Sequence, residues 1–216
     1  MAIAYSAFSS ANGSGSSVTY SHTCSGSDRI LFVSAFAPYP GTGSTTGVTY
    51  GGVSMTKVDS NVPQANWDFS LWYLVNPASG ANNVVCTSSG AVSGTNYNSL
   101  AVSYTGASQT GQPDGSAKAT GTSTTLNQSV TTTADNSWIV GAAASGAGAP
   151  TASTGVTGRG SIGFCRIGDS NAPKTPAGSY SMTYTTGSPD NWGLIMASFS
   201  PAGAAPSGNS NMLMHM

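Results

Sequence analysis

The run Asp68-Phe69-Ser70-Leu71-Trp72-Tyr73-Leu74-Val75 is apolar or aromatic at six of eight positions, and Asn76-Pro77 stops it. It is too short for a buried helix, and its aromatic and branched side chains suit a pleated strand. Apolar residues on both faces place that strand in the middle of a sheet, covered above and below. Leu194-Ile195-Met196 reads the same way.

Around these runs the pattern changes to one apolar and one polar face. In Val18-Thr19-Tyr20, Val48-Thr49-Tyr50, Val102-Ser103-Tyr104 and Met182-Thr183-Tyr184 the apolar pair shares a strand face and the hydroxyl takes the other. The copies are unequally spaced, which argues against a solenoid or propeller. Strands are expected at residues 3–8, 17–22, 29–37, 47–50, 53–58, 68–75, 83–87, 99–104, 126–132, 137–143, 162–167, 180–185 and 193–199. Gly, Ser, Pro and Asn clusters separate them, and no strand–helix alternation occurs. The expectation is an all-β chain, a two-sheet antiparallel β-sandwich of about a dozen short strands.

Two stretches read as connections. Residues 141–150 are Ala-rich, but Gly141, Gly146 and Gly148 would each cost a helix about 1 kcal/mol, so strand end plus loop is expected. Residues 105–125 are polar, with Gly111, Pro113, Gly115 and Gly121, and read as a long surface connection, a crossover between sheets in preference to a binding loop. Gly41, Gly43, Gly51 and Gly52 read as turn glycines, since no helix follows them to cradle a phosphate. From Pro201 the composition becomes that of a linker. The domain is therefore expected over residues 1–200, with a flexible linker and apolar tail over 201–216. Met212, Leu213, Met214 and Met216 are the candidate anchor by which that tail docks on a neighbouring subunit.

The chain has 216 residues, six basic and seven acidic, the acids all Asp, for a net charge of −1. Ser and Thr together number 61, so hydroxyls and amides rather than ions make the polar surface. Six scattered basic residues give no footprint for a phosphate backbone, so no nucleic-acid partner is expected. The first residues lack a basic segment and a long apolar run, and no apolar stretch approaches the roughly 18 residues needed to span a bilayer. No membrane partner is expected, and synthesis in a cytoplasm without a signal peptide is. Cys24, Cys86 and Cys165 are odd in number and lack metal-ligand spacing, so they are expected as buried thiols.

Catalytic chemistry finds few candidates. Seven Asp, two His, three Lys, three Arg and three Cys are the whole supply. Most of the Asp residues sit in apparent turns, where the side chain bonds its own backbone. His22 and Cys24 share a strand face but lack a third, orienting group. No nucleophile elbow, zinc-protease or dinucleotide motif is present. No catalytic residue, metal site or cofactor is expected. Asp169-Ser-Asn171 and Asp190-Asn191 present oxygen ligands in loops, but one isolated carboxylate per loop makes a weak calcium site. Sugar binding has more to work with: Trp67 beside Asn66 and Asp68, and Trp192 beside Asp190 and Asn191, combine a stacking ring with hydrogen-bonding groups. Both Trp residues also border strong strands, where a ring commonly plugs the end of a sandwich.

The order Ser17-Val-Thr-Tyr-Ser-His22, Asp28-Arg-Ile-Leu-Phe-Val33, Gly47-Val-Thr-Tyr-Gly-Gly52, Leu71-Trp-Tyr-Leu74, Val102-Ser-Tyr-Thr-Gly106, Asp135-Asn-Ser-Trp-Ile-Val140 and Trp192-Gly193 resembles a β-sandwich family. That family occurs in bacteriophage structural proteins and in repeats of large bacterial surface proteins, and the resemblance runs over residues 3 to 200. It implies a jelly-roll-like fold and brings no catalytic residue with it. A single copy without a signal favours the phage setting. The resulting expectation is a non-enzymatic virion structural protein, a capsid decoration or head-fibre component. Its partners would be a major capsid or tail protein and copies of itself, a trimer if it decorates a capsid. The alternative expectation is a carbohydrate-binding receptor module of a tail fibre or tip, with a host glycan stacked on Trp67 and Trp192.

Overall fold

A computed structural model of the chain describes residues 1–37, 43–65 and 67–203, and no helix occurs among them. Over these described residues the fold is all-β, with fifteen strands in three antiparallel sheets. The first sheet holds β1 (Ala4–Cys24), β2 (Ile30–Ala37), β3 (Thr45–Tyr50), β4 (Val53–Ser54), β5 (Thr56–Asn61), β6 (Asp68–Val75) and β7 (Gly80–Thr105). Its order is β4-β3-β7-β2-β6-β5, and β1 also pairs with β7. The second holds β8 (Gly115–Gly121), β10 (Trp138–Ser145), β12 (Thr157–Ile162), β13 (Cys165–Asp169) and β15 (Trp192–Phe199), ordered β12-β13-β10-β15-β8. In the small third sheet β14 (Ser179–Thr185) lies between β11 (Thr151–Ala152) and β9 (Thr125–Thr131).

Period-two alternation on the central strands sorts their side chains into separate cores. From β2, Ile30, Phe32 and Phe36 enter one core, while Leu31, Val33, Ala35 and Ala37 enter another. On β10, Trp138, Val140, Ala142 and Ala144 meet that first core, and Ile139 and Ala143 face the third sheet. Strand β15 repeats this with Ile195, Ala197 and Phe199 on one side and Trp192, Leu194 and Met196 on the other. The central placement expected for residues 69–75 and 194–196 is what the stack requires of strands buried on both faces.

The second core arises because the first sheet folds over on itself. The expected strands 3–8 and 17–22 are one ribbon, β1 of 21 residues, and 83–87 and 99–104 are another, β7 of 26 residues. Their register breaks around Gly15, which takes the left-handed φ of 87° that a side chain would resist. Beyond the break the ribbon lies over its own first half. Tyr20 Oη is 2.8 Å from Ser99 Oγ, and Cys86 Sγ is 3.2 Å from the same hydroxyl. The sandwich is thus a stack: the folded-over ribbon with β3 and β4, the body of the first sheet, the second sheet, and the third.

Aromatic contacts stitch the largest core. Phe199 lies 5.2 Å from Phe32 and 4.9 Å from Tyr104, and Tyr104 meets Trp138 edge-on at 5.9 Å. Such pairs are worth about 0.5–1.5 kcal/mol each beyond area burial.

Several local expectations are corrected. Strand β8 runs through the stretch expected to be a crossover. Its Ala117 and Ala119 pack on the third core while Ser116, Lys118 and Thr120 face outward. Residues 162–167 are not one strand, since Gly163 and Phe164 turn the chain between β12 and β13. Ser103 does not face solvent; it is 1% exposed, inside the folded-over ribbon. Pro201 is buried and Ala202 N bonds Gly106 O at 2.8 Å, so ordered packing continues past residue 200. Gly51 and Gly52, with φ of 56° and 82°, form the expected tight turn between β3 and β4. Met212, Leu213, Met214 and Met216 lie outside the described residues, as do Gly41 and Asn66.

Candidate functional site

Several chemistry-bearing side chains hold layers together or pack within them. His22, 1% exposed, spans the folded ribbon between Ser9 Oγ (2.8 Å from Nδ1) and Ser103 Oγ (3.0 Å from Nε2). Burial pushes its pKa down to about 4, so the ring is neutral. Cys24 shares this core as expected from its strand face, and burial raises its thiol, as it raises those of Cys86 (to about 12) and Cys165. All three are free and buried, which makes them inert packing groups rather than nucleophiles.

Asp169, expected in a loop, instead ends β13. It is 0% exposed and holds Arg159 through two bonds, Nε to Oδ2 at 2.6 Å and Nη2 to Oδ1 at 2.9 Å. Tyr104 donates to Oδ2 at 2.8 Å, and the guanidinium lies 4.1 Å over the Tyr5 ring. Among the described residues no group of three or more His, Cys or Asp side chains gathers around a point.

The two Trp residues expected as stacking platforms part company. Trp192 is 6% exposed and belongs to the core between the second and third sheets, its ring packed against Gly121. It is a plug. Its neighbour Asp190 instead reaches Trp67, on the far side of the strand start. Trp67 is half-buried in a cleft of about 230 Å³ that it shares with Phe36, Gln64, Asn96, Gly146, Phe164 and Asp190.

This cleft forms where strand ends and loops of the first two sheets converge. Phe36 closes β2, Gln64 and Trp67 precede β6, Gly146 follows β10, Phe164 precedes β13, and Asp190 precedes β15. Phe36 is the fixed floor, 1% exposed, and Trp67 stands perpendicular to it at 5.5 Å. Phe164 and Phe69 clamp the same Phe36 ring edge-on at 6.3 and 6.1 Å. The polar side is also braced. Trp67 N donates to Gln64 O at 2.9 Å, Asn191 Nδ2 donates to Gln64 Oε1 at 3.2 Å, and Asp190 Oδ1 accepts Asn191 N at 2.6 Å. Gly146 N donates to Asn191 O at 3.0 Å and ties the loops together.

The lining combines three aromatic rings with two carboxamides and a carboxylate, the kind of surface that orients a small polar ligand with an apolar face. Sequence reasoning found Trp67 and Asp190 but assigned them to different clusters. It missed Phe36, Gln64, Asn96, Gly146 and Phe164, which carry no local signal beyond strand-end or loop composition. Comparison with protein-family models, with curated proteins and with solved structures finds no match.

Proposed function

We propose that the chain is a non-enzymatic structural protein of a bacteriophage virion, a capsid decoration or head-fibre component that works by contact with other virion proteins and with its own copies. The observation that carries this reading is the use made of the reactive groups: His22, Asp169, Arg159 and the cysteines serve inter-layer bonds and packing. The exposed surface is rich in hydroxyls and amides and carries few charges. On the third sheet Thr125, Asn127, Ser129 and Thr131 of β9 stand exposed beside Ser179 and Ser181 of β14. Such a face offers hydrogen bonds and little long-range steering, so association should vary weakly with salt. Light scattering followed by co-sedimentation with capsids at low and high salt tests this. Saturable capsid binding by a defined oligomer, with residues 212–216 needed for occupancy, is the expected result. Absence of capsid binding overturns it.

A second reading, a carbohydrate-binding receptor module, is favoured by one observation, the aromatic and carboxamide-lined cleft at Trp67. Binding to host glycans without capsid affinity would select it.

A further inference from the structure

Resting on that second reading, we propose that the Trp67 cleft takes one neutral pyranose ring, stacked on the indole and hydrogen-bonded to Asp190, and that it excludes sugars carrying a carboxylate.

Size sets the first limit. The cleft holds about 230 Å³, below the roughly 300–1,000 Å³ of sites for drug-sized ligands, so it suits one ring and not an extended oligosaccharide. Stiffness sets the second. Trp67 packs perpendicular to Phe36, which is itself clamped by Phe69 and Phe164, so the indole is positioned before any ligand arrives. A pyranose presents axial C–H groups on one face and hydroxyls around its rim, and the rings and the polar side chains that line the cleft match those two features.

Charge sets the class. Asp190 is the one ionisable side chain lining the cleft among the described residues. Its Oδ1 accepts Asn191 N, and its Oδ2 lies on the Gly146 wall. A carboxylate accepts strong hydrogen bonds from sugar hydroxyls and repels the carboxylate of a uronic or sialic acid. Asn191 occupies Gln64 Oε1, which leaves the NH2 of that cleft-lining amide as its donor for ring or hydroxyl oxygens.

Gly146 is the mark that this juxtaposition is built. A Cβ there would stand 2.7 Å from Trp67 Cη2 and 2.7 Å from Asp190 Oδ2. Its φ lies outside the left-handed region, so the backbone would tolerate a side chain and the space would not. Only glycine lets the indole and the carboxylate approach the same point.

The test is titration of the full chain with methyl hexopyranosides, N-acetylhexosamines, glucuronic acid and sialic acid, read by calorimetry and by the Trp67 indole N–H resonance. Neutral sugars should bind and shift that resonance, while the acidic sugars should not. Trp67→Ala should weaken binding by roughly tenfold or more, the scale of a lost stacking contact. Asp190→Asn should weaken neutral sugars and admit glucuronic acid, an inversion that loss of folding would not produce. Binding of acidic sugars by the unaltered chain that Trp67→Ala abolishes would overturn the assigned sugar class. Glycan binding that survives Trp67→Ala would overturn the site and leave the receptor reading standing. No binding to any glycan, with the chain folded, would remove the receptor reading itself.

Discussion

His22 shows how a single buried residue sets a condition on the whole fold. Its imidazole joins the two halves of the folded ribbon through Ser9 and Ser103, and burial moves its pKa from 6.5 to about 4. In the unfolded chain the ring binds a proton near pH 6.5, so between pH 6.5 and 4 the unfolded state holds more protons than the native one. Stability is then fully present above about pH 6.5 and is lost as the pH falls through 4, by up to ~3 kcal/mol for this one group. Asp68, whose carboxyl burial pushes upward, acts with the opposite sign. Urea unfolding at pH 7, 5.5 and 4.5 should therefore show a decline that His22→Gln flattens, because Gln has no proton to bind. A decline of equal slope in His22→Gln would place its origin elsewhere.

At the level of elements, contacts between sheets rest on glycines as much as on large side chains. On β12, a Cβ at Gly160 would come within 2.1 Å of Phe8 Cζ on β1, so the Phe8 ring lies flush on the glycine and couples the first sheet to the edge of the second. Gly160→Ala should destabilise the chain by about 1–3 kcal/mol, as overpacking does. Phe8→Ala in that background should cost less than Phe8→Ala alone, with a coupling of ~0.5 kcal/mol or more in a double-mutant cycle. Additive effects would mean that the ring and the glycine do not share the space. The same reliance on small residues explains why β8 escapes a sequence reading. Gly115-Ser-Ala-Lys-Ala-Thr-Gly121 alternates correctly, but its inward residues are alanines of low strand propensity, and it is held by its ladder to β15.

The whole molecule is joined through its largest core. Ile30, Phe32, Phe69, Leu100 and Tyr104 come from the first half of the chain, and Trp138, Val140, Ile167, Ile195 and Phe199 from the second. Neither set can bury itself without the other. Asn61 adds a bond of the same kind, its Nδ2 donating to Ala119 O at 3.0 Å and Leu194 O at 3.1 Å across the sheets. A chain cut after Gly111, between β7 and β8, should yield two pieces that each lack cooperative melting and near-ultraviolet dichroism. Mixing them should restore both signals. Cooperative melting of either piece alone would mean that its sheet is a self-sufficient unit.

Period-two alternation is written in neighbouring residues, so the sequence alone determined that the chain is all-β, where most strands run and which faces are apolar. The inward pairs Val18/Tyr20, Val48/Tyr50, Val102/Tyr104 and Met182/Tyr184 all lie in cores. What alternation does not contain is the partner that covers each face. That depended on how the sheets stack, and so only the tertiary structure decided that β1 folds over at Gly15, that Ser103 lies inside, and that Trp192 is a plug. The cleft is the clearest case. Trp67 and Asp190 meet at Gly146 because three loops from two sheets end at the same edge of the stack, and no periodicity along a single strand encodes where separate loops converge.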